Sequence, residues 1–340
     1  MKAVFFTYIC PLIFILITIP VTNTSSESSK KQIILYDQNP IITCLPIPIL
    51  GLSDGSSKWN SNDDSLIIPL RRAGRIYLIE AKVDNVTGYL VFDTGASGVV
   101  LNKTYFRDHV VIDNQYSSGI TGTVGAVEYV AVDRLTFSGL QFSGVTAQMT
   151  NLGHIENRRG VKVLGLIGFS MLKDFELVLD TEQNQLQLYR INKKGLRLNS
   201  DFVFTADYTT TFDFYNNILF IRLPLQGKDN CFCFDTGAET NVVDRYATKS
   251  LLNSITITRR STLTGAGSQT SDVLFGTMND FTVGTYKLKN METVITNLDP
   301  LSEAYGKKID GMLGYSFISK GIICINFVRN ELGIRFYSDK

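Results

Sequence analysis

Two carboxylates stand in matching surroundings in this chain of 340 residues. Asp93 opens the run Asp93-Thr94-Gly95-Ala96, and Asp235 opens Asp235-Thr236-Gly237-Ala238, 142 residues further on. Each follows a phenylalanine, Phe92 or Phe234, at the end of an apolar stretch. Aspartates carried at equal positions of two copies of one unit can face each other across a pseudo-twofold axis. Carboxyl groups brought that close cannot both ionise, so such a pair holds one proton near neutral pH. The ionised member is then a general base for a water held between them. The protonated member is an acid for the carbonyl oxygen under attack. Neither a metal nor a covalent intermediate is needed, which suits a chain whose only histidines are His109 and His154. The neighbours have tasks of their own. The hydroxyls of Thr94 and Thr236 can tie the two loops together, and Gly95 and Gly237 permit a tight turn and close backbone approach. The apolar strand before each loop excludes water and raises the carboxyl's proton affinity.

The elements that must hold these loops recur with them. Ile76-Tyr77-Leu78-Ile79 is matched by Ile218-Leu219-Phe220-Ile221 at the same offset of 142. Leu263-Thr264-Gly265 follows Ile120-Thr121-Gly122 at 143, and Thr296-Asn297-Leu298 follows Thr150-Asn151-Leu152 at 146. Leu166-Ile167-Gly168-Phe169-Ser170 is answered by Met312-Leu313-Gly314-Tyr315-Ser316, again at 146. Blocks in one order, with an offset drifting by so little, read as an internal duplication. Each copy predicts short β-rich strands broken by glycine turns. Val99-Val100-Leu101 and Val242-Val243 are second strands, followed by short helical stretches near 103–108 and 244–252. Leu177 to Asp180 and Ile322 to Asn326 are buried-strand candidates, each turning back into a last alternating strand. The expectation is an all-β molecule of two lobes, 66–195 and 205–340, with a cleft between them. Lys193-Lys194-Gly195 begins the join. Residues 24–65 are a polar linker around one apolar segment, Ile41 to Leu50, open to use as an added strand or a pro-segment.

With Asp93-Thr94-Gly95, Asp235-Thr236-Gly237, Leu166-Ile167-Gly168 and Met312-Leu313-Gly314 taken together, the chain resembles the pepsin/retropepsin superfamily of aspartic peptidases over about 66–340. The resemblance implies a two-lobed acid-protease-like β-barrel fold. Asp93 and Asp235 would be the catalytic pair, and Gly168 and Gly314 would lie on loops threaded beneath each Asp-Thr-Gly turn. It implies endopeptidase activity on a polypeptide substrate, without a cofactor. The Gly-rich segments Gly119–Gly125 and Thr264–Gly267 stand where the family puts hairpin flaps. That makes Gly122, Thr123, Gly265 and Ala266 candidates to contact substrate, with Tyr116 the nearest tyrosine. Short lobes and an alanine after each motif look more like retroviral-type units in tandem than long pepsin lobes. Ala96 and Ala238 replace the Ser or Thr usual in pepsin-type enzymes, which removes a hydroxyl that would favour the charged carboxylate and implies a mildly acidic optimum. Glu239 follows the second motif where the first has Ser97, an extra negative charge near the cleft.

Composition narrows the remaining classes. With 33 Lys+Arg against 32 Asp+Glu the formal charge is +1, so nothing draws the chain electrostatically to nucleic acid or an anionic membrane. At 44% hydrophobic and 19% charged residues it is too apolar for disorder, and its length suits two packed cores. Two histidines leave little for a metal site, and both read as surface residues. Met1-Lys2, the apolar run Ala3 to Ile19, Pro20 and the polar stretch after it have the layout of a secretory signal peptide or an uncleaved signal anchor over 1–23. The protein is therefore expected to be exported, whether secreted, periplasmic or at the cell surface. It would touch a membrane only if that segment is retained. Cys10 belongs to that run; among Cys44, Cys231, Cys233 and Cys324, a bridge from Cys324 and buried free thiols both stay open. Asn85-Val86-Thr87 and Asn102-Lys103-Thr104 are glycosylation sequons. Gly51-Leu52-Ser53-Asp54-Gly55 matches a nucleophile-elbow pattern, but a polar loop follows instead of a helix. The competing readings are a two-lobed peptide-binding protein without activity, a cell-surface protein built on a β repeat, and a pair of purely structural Asp turns.

Overall fold

The computed structural model describes residues 10–11, 43–44, 55–59, 63–119, 122–198, 203–215, 217–225, 227–264 and 270–338. Strands dominate, as the abundance of β-branched and aromatic residues demands, and no described helix exceeds seven residues. Among the described residues no helix is long and apolar enough to cross a membrane. Apart from 10–11 and 43–44, the signal segment and the apolar stretch 41–50 lie outside the described residues.

One sheet joins the two halves. Its strands run in the order Tyr208–Tyr215, Glu331–Phe336, Gly321–Asn326, Phe175–Asp180, Gln185–Arg190 and Ser65–Pro69. The central pair, Phe175–Asp180 against Gly321–Asn326, is antiparallel with Leu177 opposite Ile325 and Val178 opposite Cys324. Each of these two strands turns back into its outer neighbour through Asn184 or Asn330, both at positive φ (50° and 49°), where asparagine is tolerated. Glu176, buried in the central pair, accepts from Arg197 Nε at 2.5 Å, Asn326 Nδ2 at 2.6 Å and Arg329 Nη2 at 3.3 Å. That clamp pins the segment after Gly195 to the shared sheet.

The first half builds a separate sheet from a hairpin, while the second half's hairpin continues the shared sheet through Tyr208–Tyr215. Ile76–Val83 turns at Asp84-Asn85 into Val86–Phe92, and Ile218–Leu225 pairs with Lys228–Phe234. The first strand of each hairpin alternates buried and exposed residues only at its far end and is buried throughout where it enters the core. Ser56–Trp59, within the stretch read as linker, adds a strand to the first half by pairing with Leu140–Ser143. Trp59 is anchored by Phe175, with ring centroids 5.3 Å apart, and by the Arg190 guanidinium over its face. The expected second helix is shorter than 244–252: Asn241–Asp244 is strand, and the helix Lys249–Asn253 starts only after its cap, Thr248.

Three other expectations are settled by packing. Cys231, Cys233 and Cys324 are buried free thiols. Asn102 is fully buried; its side chain caps the helix Lys103–Phe106, accepts from Leu152 N and donates to Val163 O, so this sequon asparagine is structural. His109, read as a surface residue, lies partly buried with Nε2 at 2.9 Å from Asp84 Oδ2 and its ring edge-on to Phe106.

Candidate active site

The same construction places each aspartate. Strand Val86–Phe92 delivers Asp93, and Val163–Ile167 runs parallel beside it, with Leu166 opposite Val91 and Ile167 opposite Phe92. The other edge of Val163–Ile167 pairs antiparallel with Val99–Asn102. Threaded between two strands, it is buried along its whole length, which is why its sequence is an unbroken run of apolar residues and glycine. In the second half Lys228–Phe234 delivers Asp235, and Gly311–Leu313 lies between it and Asn241–Asp244. Asp93 N donates to Ile167 O and Asp235 N to Leu313 O, both at 3.0 Å. Gly168 and Gly314 cross directly beneath the loops. A Cβ on Gly168 would fall on the Ala96 carbonyl, and one on Gly314 would fall on the carbonyls of Thr240 and Ala238.

Across the midline the threonines exchange hydrogen bonds. Thr94 N donates to Thr236 Oγ1 at 3.0 Å and Thr236 N to Thr94 Oγ1 at 2.9 Å. Thr94 Oγ1 donates to Phe234 O at 3.0 Å, and Thr236 Oγ1 donates to Phe92 O at 2.7 Å. Each hydroxyl thus satisfies one backbone donor and one acceptor of the opposite loop, in a place where no water can do so. Gly95 N donates to Asp93 Oδ1 at 2.9 Å and Gly237 N to Asp235 Oδ1 at 2.8 Å. The two carboxyls face each other so closely that a Cβ on Gly95 would lie 2.8 Å from the Asp235 carboxyl carbon. One on Gly237 would lie 2.6 Å from that of Asp93. Glycine is required at both positions by that approach.

Burial sets the proton affinity of the pair. Asp93 and Asp235 are 2% and 0% exposed. Burial, then the charge of Asp235, then a hydrogen bond to it hold Asp93 well above the ordinary carboxylate range. Burial pushes Asp235 up to about 6, opposed by backbone donors at Gly237 and Ala238 and by the hydrogen bond from Asp93. Both carboxyls are thus held above the ordinary carboxylate range, and the pair shares a proton that it releases as a coupled unit. Asp235 Oδ2 is buried without a hydrogen-bond partner of ordinary geometry. Such a pair can activate a water on one side and protonate an oxygen on the other without any metal.

The flap candidates fall on two hairpins. Val111–Gly119 pairs with Gly122–Phe137, with Gly122 opposite Gly119 and Thr123 opposite Ser118. Tyr116 stands opposite Ala126 on the same hairpin. In the second half Ile255–Thr264 pairs with Thr270–Met278 and Thr264 is opposite Thr270, while Gly265 and Ala266 lie outside the described residues. Ala96 and Ala238 are buried against the loops.

Several charged residues beside the site carry no local signal in the sequence. Glu239 is not a free negative charge, because Arg159 from the first half forms a nearly buried ion pair with it. Arg75 holds Glu292 bidentately at 2.7 and 2.5 Å, and Arg72 Nη2 donates to Tyr315 OH at 2.7 Å. All three reach from the first half to the second, over separations that no spacing rule covers.

A model of the aspartyl protease family matches residues 222–317, the stretch that holds Asp235-Thr236-Gly237 and Gly314. That match covers less than a third of the chain and lies wholly in its second half. Among solved structures it is similar to an aspartic proteinase from Irpex lacteus, at 12% identity and a TM-score of 0.49, covering 81% of this chain and 98% of that one. No curated protein matches the chain.

Proposed function

We propose that the protein is an exported aspartic endopeptidase in which Asp235 is the general base and Asp93 the general acid. The observation that carries this reading is the pair of buried, facing carboxyls with raised proton affinities, held by matching donors. In the proposed reaction Asp235 takes a proton from water as its oxygen bonds to the peptide carbonyl carbon. Asp93 gives its proton to the carbonyl oxygen, forming a neutral gem-diol. As that intermediate collapses, Asp93 takes back a proton from a diol hydroxyl, the C–N bond breaks and Asp235 gives its proton to the departing nitrogen, so the dyad ends singly protonated as it began. The active form is the monoanion, so activity rises as Asp235 ionises around pH 6 and falls once Asp93 also loses its proton. Export rests on the apolar run Ala3 to Ile19 between a basic start and a polar, Ser-rich stretch.

The test is cleavage of a mixed peptide library by residues 24–340 between pH 3 and 8, with Asp93→Asn alongside. Cleavage by the parent and not by the variant is the expected result, with an acid limb at mildly acidic pH. A rate maximum near pH 2 would contradict the assigned proton affinities. Peptide binding without cleavage at any pH would replace the enzyme reading with that of a silent cleft.

A further inference from the structure

Each carboxyl of the dyad is bonded by the amides of its own motif, and Asp235 is bonded by the Gly95 amide as well. Gly95 and Gly237 amides bond their own aspartates, and the amides of Ala96 and Ala238 do the same one residue on. A larger difference in charge lies just outside the motif. In the first half the next residue is Ser97; in the second it is Glu239, 7% exposed and paired with Arg159. The first half's helix Gly153–Arg159 supplies that guanidinium. In the second half's helix the matching position is Tyr305, whose ring packs edge-on to Phe220 at 5.1 Å. So the ion pair exists on one side of the pseudo-twofold only, the side of Asp235.

Its connection to Asp235 is short. Glu239 lies between two anchored residues. Ala238 gives its amide to Asp235 and accepts from Tyr315 N at 2.8 Å, while Thr240 Oγ1 donates to Glu292 O at 2.5 Å. Arg159 is equally held: Gly74, at φ +68°, brings the turn of the neighbouring hairpin against the guanidinium, and a Cβ there would fall on it. The other charges facing this stretch have their own partners. Arg75 is bidentate on Glu292, Arg72 is on Tyr315 OH, and Asp93 shares its proton with Asp235. Arg159 is thus the cation that answers Glu239, and a nearly buried charge deprived of its partner exerts its full field on neighbours.

We propose that Arg159 and Glu239 form a positioning pair that holds the Asp235 loop across the lobe junction and sets the proton affinity of Asp235. The proposal rests on the reading of Asp93 and Asp235 as the acid–base dyad. Neither residue of the pair touches the reacting atoms; both act through the Ala238 amide and through charge.

The test follows the carboxyl titration of 13C-labelled aspartate by NMR, together with the pH–rate profile for peptide cleavage. In Glu239→Gln the Arg159 charge is left uncompensated, so the lower titration of the dyad and the acid limb both move down. The expected shift is about half a pH unit or more, roughly a threefold change in proton affinity. In the double variant Arg159→Met/Glu239→Gln both return towards the parent. A merely structural brace would lower the melting temperature and leave the titration where it was, and that result overturns the proposal. Should Glu239→Gln fail to fold, Arg159→Met reads the same coupling with the opposite sign. If the parent cleaves no peptide, the enzyme reading fails while the NMR titration still decides this one.

Discussion

At Thr94 and Thr236 one hydroxyl serves two backbone groups of the opposite loop, and this reciprocity holds the dyad together. Thr236→Val keeps the shape but strands Thr94 N and Phe92 O in a dry interior, at a cost of about 2–4 kcal/mol. Thr236→Ser keeps both hydrogen bonds and should lose only about 1 kcal/mol for the missing methyl. Equal losses for the two variants in denaturant unfolding would mean that the hydroxyl contributes nothing. The carboxyls themselves link stability to pH. Both proton affinities are raised by folding, so the folded state binds more protons than the unfolded one above the unfolded value of 3.8. Stability contributed by the protonated pair is complete below that value and is lost as pH rises through about 6 and the coupled pair gives up its protons. Asp93→Asn removes one of these charges. Its melting temperature relative to the parent should therefore climb between pH 4 and pH 8, and a constant difference across that range would refute the linkage. Ala238→Ser tests the missing hydroxyl: a new donor to the Asp235 carboxylate would move the acid limb of the rate profile to lower pH.

At the scale of elements, the threaded strands decide how precisely the loops are held. Val163–Ile167 and Gly311–Leu313 each bond to a neighbour on both edges, so they cannot slide without breaking two ladders. The glycines that end them admit no side chain, because the space for a Cβ is already filled by backbone carbonyls. Backbone cannot yield as a flexible side chain does. Gly168→Ala and Gly314→Ala should each destabilise by about 3 kcal/mol or more, read from the denaturant midpoint. Gly160, where nothing lies within reach of an added Cβ, is the control for local crowding; at φ +63° its substitution carries only the strain of that backbone conformation.

At the scale of the molecule, the halves are joined in two chemically different ways. On one flank Phe169, Phe212, Phe214 and Phe327 stack edge to face, an apolar contact that tolerates small movements. On the other, Arg72, Arg75 and Arg159 make directed polar contacts to Tyr315, Glu292 and Glu239. Beneath both lies Glu176, with Arg197, Arg329 and Asn326 converging on a carboxylate that is only 3% exposed. Glu176→Ala leaves one largely buried guanidinium and one partly buried one uncompensated, and should cost about 3 kcal/mol or more. Arg329 is about a third exposed and contributes less of this than Arg197, whose side chain is 8% exposed. A loss under 1 kcal/mol in equilibrium unfolding would show that the clamp is dispensable.

The two Asp-Thr-Gly-Ala runs, the apolar-Gly elements and the strand pattern around them were legible from residue order alone. Each is a local requirement: an apolar strand, a tight turn, a backbone approach that only glycine allows. Repetition at a nearly constant offset made the pairing of Asp93 with Asp235 readable too, since equal positions of two copies meet on an axis. Ser56-Ser57-Lys58-Trp59 could not be read as a strand, because it is a largely exposed edge held by one tryptophan against Phe175. Nor could the burial of Asn102, which follows from where Leu152 and Val163 arrive. The extent to which burial raises the two proton affinities, and the partner of Glu239, belong to the tertiary structure entirely. They depend on which side chain of one half meets the other across the junction, and electrostatic energy in a dry interior depends on those distances and not on order along the chain.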